Sequence, residues 1–191
     1  MVFNIHPDPL PGYRGPDPVF WQIKNREPHA SIAIHKVDDD FNTGSLVLSD
    51  KIRLNATDTH GCLTTKLAEL AARLTGVLIK MAGFGIAIPL QPQDETKAIY
   101  YKKQSAADIT INWQIMDAET IIALANASNP WNKGAVTKLN NRILRILVAE
   151  KHLNLSVTSK TPGIISVPED KSVLVSTLHN ETLKLQFVYV D

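Results

Sequence analysis

Apolar and polar positions follow two different rhythms along this chain. Residues 2–6, Val-Phe-Asn-Ile-His, read as a short strand, and 31–37 and 45–54 as two more. After residue 57 the period becomes helical. Leu63, Leu67, Leu70, Leu74, Leu78 and Met81 recur on one face, with Thr57 or Asp58 as the expected cap and Gly83 and Gly85 as the stop. A shorter helix is expected after a cap at Asp17, with Pro18 in its first position and Val19, Phe20 and Ile23 on its apolar side. Another is expected after Asp117, through about Asn126. From Ala135 onward strands follow one another over 135–139, 142–150, 163–167, 172–177 and 183–190. Asn140-Asn141 and His179-Asn180 supply hairpin turns.

Two stretches keep neither rhythm. Six of the 11 prolines fall between Pro7 and Pro28. Proline fixes φ and removes a donor, so residues 7–18 are expected to be an ordered loop of extended and turn pieces. Residues 86–113 form a connector with Gln91-Pro92-Gln93-Asp94-Glu95-Thr96 at its polar centre. The chain therefore divides into an α/β segment over 1–85, a linker over 86–116 and an all-β segment over 117–191. Five close strands with hairpin turns suggest a small barrel or sandwich for the last.

Charge and cysteine content narrow the function classes. The 191 residues carry 20 Lys and Arg against 19 Asp and Glu, a net charge of +1. No global field recruits nucleic acid or an acidic membrane. Cys62 is the one cysteine, which excludes an intrachain disulfide and a cysteine-based zinc site. A reduced, cytoplasmic setting is expected. Every apolar run is shorter than the roughly 18–20 residues of a membrane span, and residues 1–6 lack the features of a signal peptide.

Asn4 and His6 lie two apart on the first strand and so share a face. An Asn amide is able to hold a developing oxyanion, and a histidine beside it to move a proton, which suits attack on a carbonyl-like carbon. Asp38-Asp39-Asp40 reads as a solvated acidic turn. Arg14 reads as an anchor for the proline loop.

Asn4-Ile5-His6 runs into Leu10-Pro11-Gly12-Tyr13-Arg14-Gly15-Pro16-Asp17-Pro18, and this series resembles the core signature of the folate-dependent formyltransferases. Further landmarks come in the family's order. Asn42-Thr43-Gly44 resembles its Asp-Thr-Gly turn, and Asp58-Thr59 with the leucine helix follows. Gln93-Asp94-Glu95-Thr96, Tyr100, Lys103 and Trp113 resemble its linker, and Asn129-Pro130-Trp131 and Pro162-Gly163 its C-terminal domain. The likeness covers essentially the whole chain and is greatest to the branch acting on methionyl-tRNA.

The resemblance implies transfer of a formyl group from 10-formyltetrahydrofolate to an amine, of methionyl-tRNA or amino-sugar type. It implies that Asn4 holds the oxyanion and His6 is the catalytic histidine. Asn42 stands where the family has its aspartate. Asp40, Thr43 and Gly44 would shape the folate site, and Arg14 and Gly15 belong to the structural motif; no metal is implied. The implied fold is a partial Rossmann-like domain lacking its N-terminal half, followed by a small OB-like barrel. The strand edge at Asn4–His6 is then expected to need cover from a second copy or a partner chain. With that half absent and a carboxamide at 42, the rival expectation is a truncated, non-catalytic relative acting as a binding module.

Overall fold

The computed structural model describes residues 1–153 and 159–190. Residues 154–158 and 191 of the expected C-terminal segment lie outside the described residues. Contacts separate two compact units, Met1–Lys103 and Gln104–Asp191.

The first unit is built on a three-stranded sheet of β1 (Phe3–His6), β2 (His29–Lys36) and β3 (Leu46–Arg53), in the order β1-β2-β3. Both pairings are antiparallel, with Asn4 opposite His35 and His6 opposite Ala33. A register shift between Ile34 and His35 interrupts the β2–β3 ladder. One face of the sheet packs on α2 (His60–Gly83), and α1 (Pro18–Lys24) packs against α2. Ile34, Phe20, Leu63, Leu67 and Leu70 are fully or almost fully buried. The opposite face carries Asn4, His6, Ala33 and His35.

The leucine stripe is buried along only part of its length. Leu63, Leu67 and Leu70 are in the core, whereas Leu74, Leu78 and Met81 are only half-buried. Length accounts for this. At about 1.5 Å per residue α2 is roughly 36 Å long. The eight-residue strands below it reach about 26 Å.

The helix starts differ from the sequence expectation. Thr59 is the cap of α2, accepting from the Cys62 amide at 3.2 Å. Asp58 instead accepts from the Asn55 amide and pairs with Lys66 at 2.6 Å, closing the turn before the helix. Asp17 stands at the N-cap of α1, but its side chain makes no capping bond; its carboxylate faces His60 Nε2 at 3.7 Å.

Residues 91–102 bind back onto the sheet and the proline loop of the same unit. Gln91 and Leu46 exchange two main-chain hydrogen bonds, at 2.8 and 2.9 Å. Arg14 donates to the Ile99 carbonyl and accepts from the Tyr101 amide. The Tyr13 and Tyr101 rings stack at 4.6 Å, and Trp21 Nε1 donates to the Lys102 carbonyl at 2.9 Å. Gly15 is required at this crossing: it has φ +126°, and an added Cβ would lie 2.0 Å from the Tyr101 carbonyl oxygen.

The second unit holds α3 (Ala118–Ala127) and a five-stranded antiparallel sheet. Its strands are β4 (Ala135–Leu139), β5 (Arg142–Lys151), β6 (Ile165–Ser166), β7 (Val173–Ser176) and β8 (Thr182–Val190), in the order β4-β5-β8-β7-β6. Asp117 caps α3 by accepting from the Thr120 amide at 2.7 Å. Asn140 and Asn141 both have positive φ, as a tight hairpin turn requires. Ile121, Leu124, Ile146 and Leu183 form the core. Trp113 donates to Thr137 Oγ1 at 2.8 Å, while Trp131 is 68% exposed. The chain is thus a mixed α/β protein with antiparallel sheets. No helix among the described residues is long and apolar enough to cross a membrane.

Candidate functional site

The polar face of the first sheet gathers Asn4, His6, His35 and Asn42 into one hydrogen-bonded series. Strand alternation puts Asn4 and His6 on that face, and the β1–β2 register sets His35 beside Asn4. His35 Nδ1 lies 3.0 Å from the Lys36 carbonyl, which accepts only, so Nδ1 carries the proton. Nε2 is then bare and accepts from Asn4 Nδ2 at 3.1 Å. The second amide hydrogen of Asn4 points at Asn42 Oδ1, over a longer 3.4 Å. Asn42 Nδ2 in turn lies 3.0 Å from His6 Nε2.

The turn carrying Asn42 is held from behind. Asn42 has φ +61°, a left-handed conformation that Asn tolerates better than most residues. Gln93 Nε2 donates to the carbonyls of both Asn42 and Gly44, each at 2.8 Å. Gln93 Oε1 accepts from Arg14 Nη2 at 2.9 Å, and the same guanidinium grips Glu95 through both of its terminal nitrogens. That grip pulls the Glu95 carboxyl below the usual carboxylate range and raises Arg14 further. Arg14 is thus tied through Gln93 to the Asn42 turn. Gly44 sits where a Cβ would lie 1.7 Å from the Lys36 carbonyl oxygen, so the turn crosses β2 too closely for any side chain.

Asp8 completes the surroundings of His6. It is fully buried, and its Oδ2 forms an ion pair with His6 Nε2. Neither Oδ1 nor Oδ2 has a hydrogen bond of regular geometry among the described residues, so the hold on His6 is the ion pair. Burial pushes the Asp8 carboxyl above its ordinary value. The close contact with His6, then the charges of His6, His35 and Arg14, act in the opposite direction without cancelling the rise. A buried carboxyl with an unpaired oxygen costs about 1–3 kcal/mol, and such costs concentrate at functional sites.

Two clefts open on this face. One, of about 370 Å³, is lined by Asn4, His35, Asn42, Phe3, Val37 and the turn 38–41. The other, of about 360 Å³, is lined by Asp8, Leu10, Ser31, Ala33, Ser49 and Lys51 among others. His6 touches a lining residue of each, Asn42 on one side and Asp8 on the other. Asp40 stands exposed in the wall of the first cleft. Thr43 donates to Asp38 Oδ1 at 2.7 Å, within the same turn. Among the described residues no group of three or more His, Cys, Asp or Glu side chains is placed to hold a metal ion.

Asn42, distant in sequence, is thus brought into contact with both Asn4 and His6. Asp8 and His35 are the members that sequence reasoning missed. His35 takes part because of strand register, which no local spacing reveals. Asp8 had a signal, a carboxylate two residues after a candidate histidine in a turn fixed by Pro7 and Pro9.

Comparison with known proteins matches residues 1–77 to the formyl transferase family and residues 103–188 to the formyl transferase C-terminal domain. The methionyl-tRNA formyltransferase of Methylacidiphilum infernorum is 37% identical over 190 residues, which are 100% of this chain and 59% of that protein. The chain thus spans about three fifths of that relative's length. Among solved structures, an N-formyltransferase from Helicobacter canadensis in complex with folinic acid and dTDP-3-aminofucose aligns with a TM-score of 0.76 at 16% identity. That alignment covers 97% of this chain and 65% of the other. The methionyl-tRNA formyltransferase from Clostridium thermocellum aligns with a TM-score of 0.68 at 15% identity, covering 99% of this chain and 68% of its own.

Proposed function

This chain belongs to the formyl transferase family, and from that premise we propose that it moves a formyl group from 10-formyltetrahydrofolate to an amine. The observation that carries the reading is the contact series from His35 through Asn4 and Asn42 to His6, beside an open cleft. The folate supplies the activated formyl group. This chain's residues bind, orient and move protons.

Asn4 is the oxyanion donor in this reading. One hydrogen of its amide is committed to His35, and the other makes only the long bond to Asn42. The second is the one a developing oxyanion takes over, with His35 holding the amide in place. His6 accepts the proton that the amine loses as its nitrogen bonds to the formyl carbon. It returns a proton to the folate nitrogen as the old carbon–nitrogen bond breaks. Asn42 orients His6 and Asn4 together. Phe3, Val37 and Phe41 offer the cleft apolar surface that suits a flat heteroaromatic ring, with Asp40, Thr43 and Gly44 shaping the turn beside it.

The acceptor class follows the relatives: methionyl-tRNA for one, an amino sugar for the other. The finer architecture belongs to the same reading. Residues 1–85 are part of a Rossmann-like formyltransferase domain, 86–116 its linker and 117–191 an OB-like barrel. A second copy or a partner chain covers the free edge of β1, and the setting is cytoplasmic.

Calorimetric titration with 5-formyltetrahydrofolate tests the reading. Saturable binding is expected, weakened in Asn4→Ala, together with formyl transfer to methionyl-tRNA or a dTDP-amino sugar. Absence of binding at millimolar concentration, alone or with the N-terminal half of a full-length relative supplied, rejects it.

A further inference from the structure

We propose that Asp8 supplies the carboxylate that this site lacks at position 42, holding the proton of His6 on Nε2 so that Nδ1 is the basic position. The catalytic meaning of this pair rests on the formyl-transfer reading; the pair itself does not.

The argument begins with two competing neighbours of one atom. Both contacts of the His6 ring fall on Nε2: Asn42 Nδ2 at 3.0 Å and the buried Asp8 carboxyl. They ask for opposite things. An amide N–H donates only, so it needs a bare Nε2, and the ring proton then sits on Nδ1. A carboxylate accepts only, so it needs the proton on Nε2, which leaves Nδ1 free to take one. With Asn42 as its sole partner, His6 would rest in a form unable to accept a proton at Nδ1.

Asn42 is not free to turn round and accept. Its Oδ1 receives the Asn4 amide, and Asn4 is fixed by His35, whose own proton is fixed by the Lys36 carbonyl. Reversing Asn42 would set its Nδ2 against the Asn4 amide; a proton on His6 Nε2 sets Asn42 Nδ2 against the ring instead, and the bond to a buried carboxylate outweighs that repulsion. Asp8 therefore decides the tautomer. Burial makes its hold firm, because a charge-assisted bond out of water is shorter and stronger than one in water. The groups facing the pair from neighbouring elements are Arg14 and His35; neither touches the Asp8 carboxyl. Asp8 acts through His6 and is a positioning residue.

The acidic turn does not do this work. Asp38, Asp39 and Asp40 are all exposed, and none makes a hydrogen bond or ion pair with His6 among the described residues. The same geometry alters what Asn42→Asp would do. Alone, it brings a second carboxylate to the ring nitrogen that Asp8 already holds, so it gains no rate.

Ring ¹⁵N shifts of His6 at pH 7.5 test the proposal in the full chain, with circular dichroism as the check on folding. The Nε2–H form is expected in the wild type and a shift to Nδ1–H in Asp8→Ala, where Asn42 is the partner left. In formyl transfer, Asp8→Asn is expected to lower kcat about 100-fold, with KM for the folate within about threefold. Asp8→Asn combined with Asn42→Asp returns a carboxylate to the same nitrogen and recovers at least tenfold of that loss. An unchanged tautomer in folded Asp8→Ala, or wild-type kcat in Asp8→Asn, overturns the proposal. If Asp8→Ala shows the tautomer switch but the wild type neither binds folate nor transfers formyl, the formyl-transfer reading is overturned and the Asp8–His6 pair stays supported.

Discussion

Asn4 and His35 face each other across the β1–β2 ladder, with Asn4 Nδ2 donating to His35 Nε2 at 3.1 Å. This contact makes a strand-borne amide into a directed one, because it uses one of two hydrogens and aims the other. His35→Phe keeps an aromatic ring of somewhat larger size and removes the acceptor. Folding should survive, and kcat for formyl transfer should fall about tenfold to a hundredfold, since small misplacements of a reacting group have effects of that size. Steady-state rates with circular dichroism as the folding check measure it. An unchanged kcat would remove His35 from the site.

Gln93 is the next lever. Its amide serves two main-chain carbonyls of the 42–44 turn, and Arg14 holds the other end. Gln93→Ala leaves two carbonyls without that donor. A net hydrogen bond is worth roughly 0.5–1.5 kcal/mol, so a loss of about 2 kcal/mol is expected in urea unfolding. The Asn42–His6 contact should loosen with it, read as a change in the His6 ring signals. Arg14→Lys should reproduce part of the effect, because an ammonium does not grip Glu95 and Gln93 with a planar fork.

How much of this was legible beforehand depends on whether a feature is local. The Asn140-Asn141 hairpin and the Asp117 cap were, because both are decided within four residues. The cap position at Asp17 was legible, though its side chain makes no capping bond, whereas the cap expected at Thr57 or Asp58 lies at Thr59. Asp17 is drawn to His60 and Asp58 to Lys66, partners that the local pattern does not show. Asn4 and His6 were legible because strand alternation alone puts them on one face. His35 required the register, and the end of the buried leucine stripe required the length of the sheet. The acidic turn was legible as solvated, and Asp38, Asp39 and Asp40 are all exposed, whereas Asp8 required the burial that the fold imposes on it.

Gly44 sets a steric limit on the site. Alanine there would put a carbon 1.7 Å from a main-chain oxygen, and the Lys36 backbone is held by its bond to the Ser45 carbonyl. Gly44→Ala should open the turn and destabilise by about 3 kcal/mol or more, at the upper end for single substitutions. Gly76→Ala is the control. It has open space around its added carbon and lies inside α2, where alanine is the better helix former by about 1 kcal/mol. Thermal unfolding of the two variants should move in opposite directions.

Asp8→Asn should change stability in a pH-dependent way, with a sign that separates burial from pairing. Burial raises the Asp8 carboxyl from its ordinary value of 3.8, so the folded protein holds this proton more tightly than the unfolded chain does. Stability from this group is therefore fully present below the unfolded value and is lost as pH rises through the higher folded value. Asparagine fills nearly the same volume and never ionises. The variant should match the wild type most closely near pH 4 and become the more stable of the two as pH rises, until Asp8 is ionised in the folded wild type. Urea unfolding at intervals from pH 4 to pH 8 measures the difference. If attraction to His6 governed instead, the folded value would lie below 3.8, and the difference between the two proteins would stay nearly constant over this range and change only as pH falls below about 4. The expected sign means that an ionised Asp8 is retained at a cost to folding, the usual trade where a buried group serves a reaction.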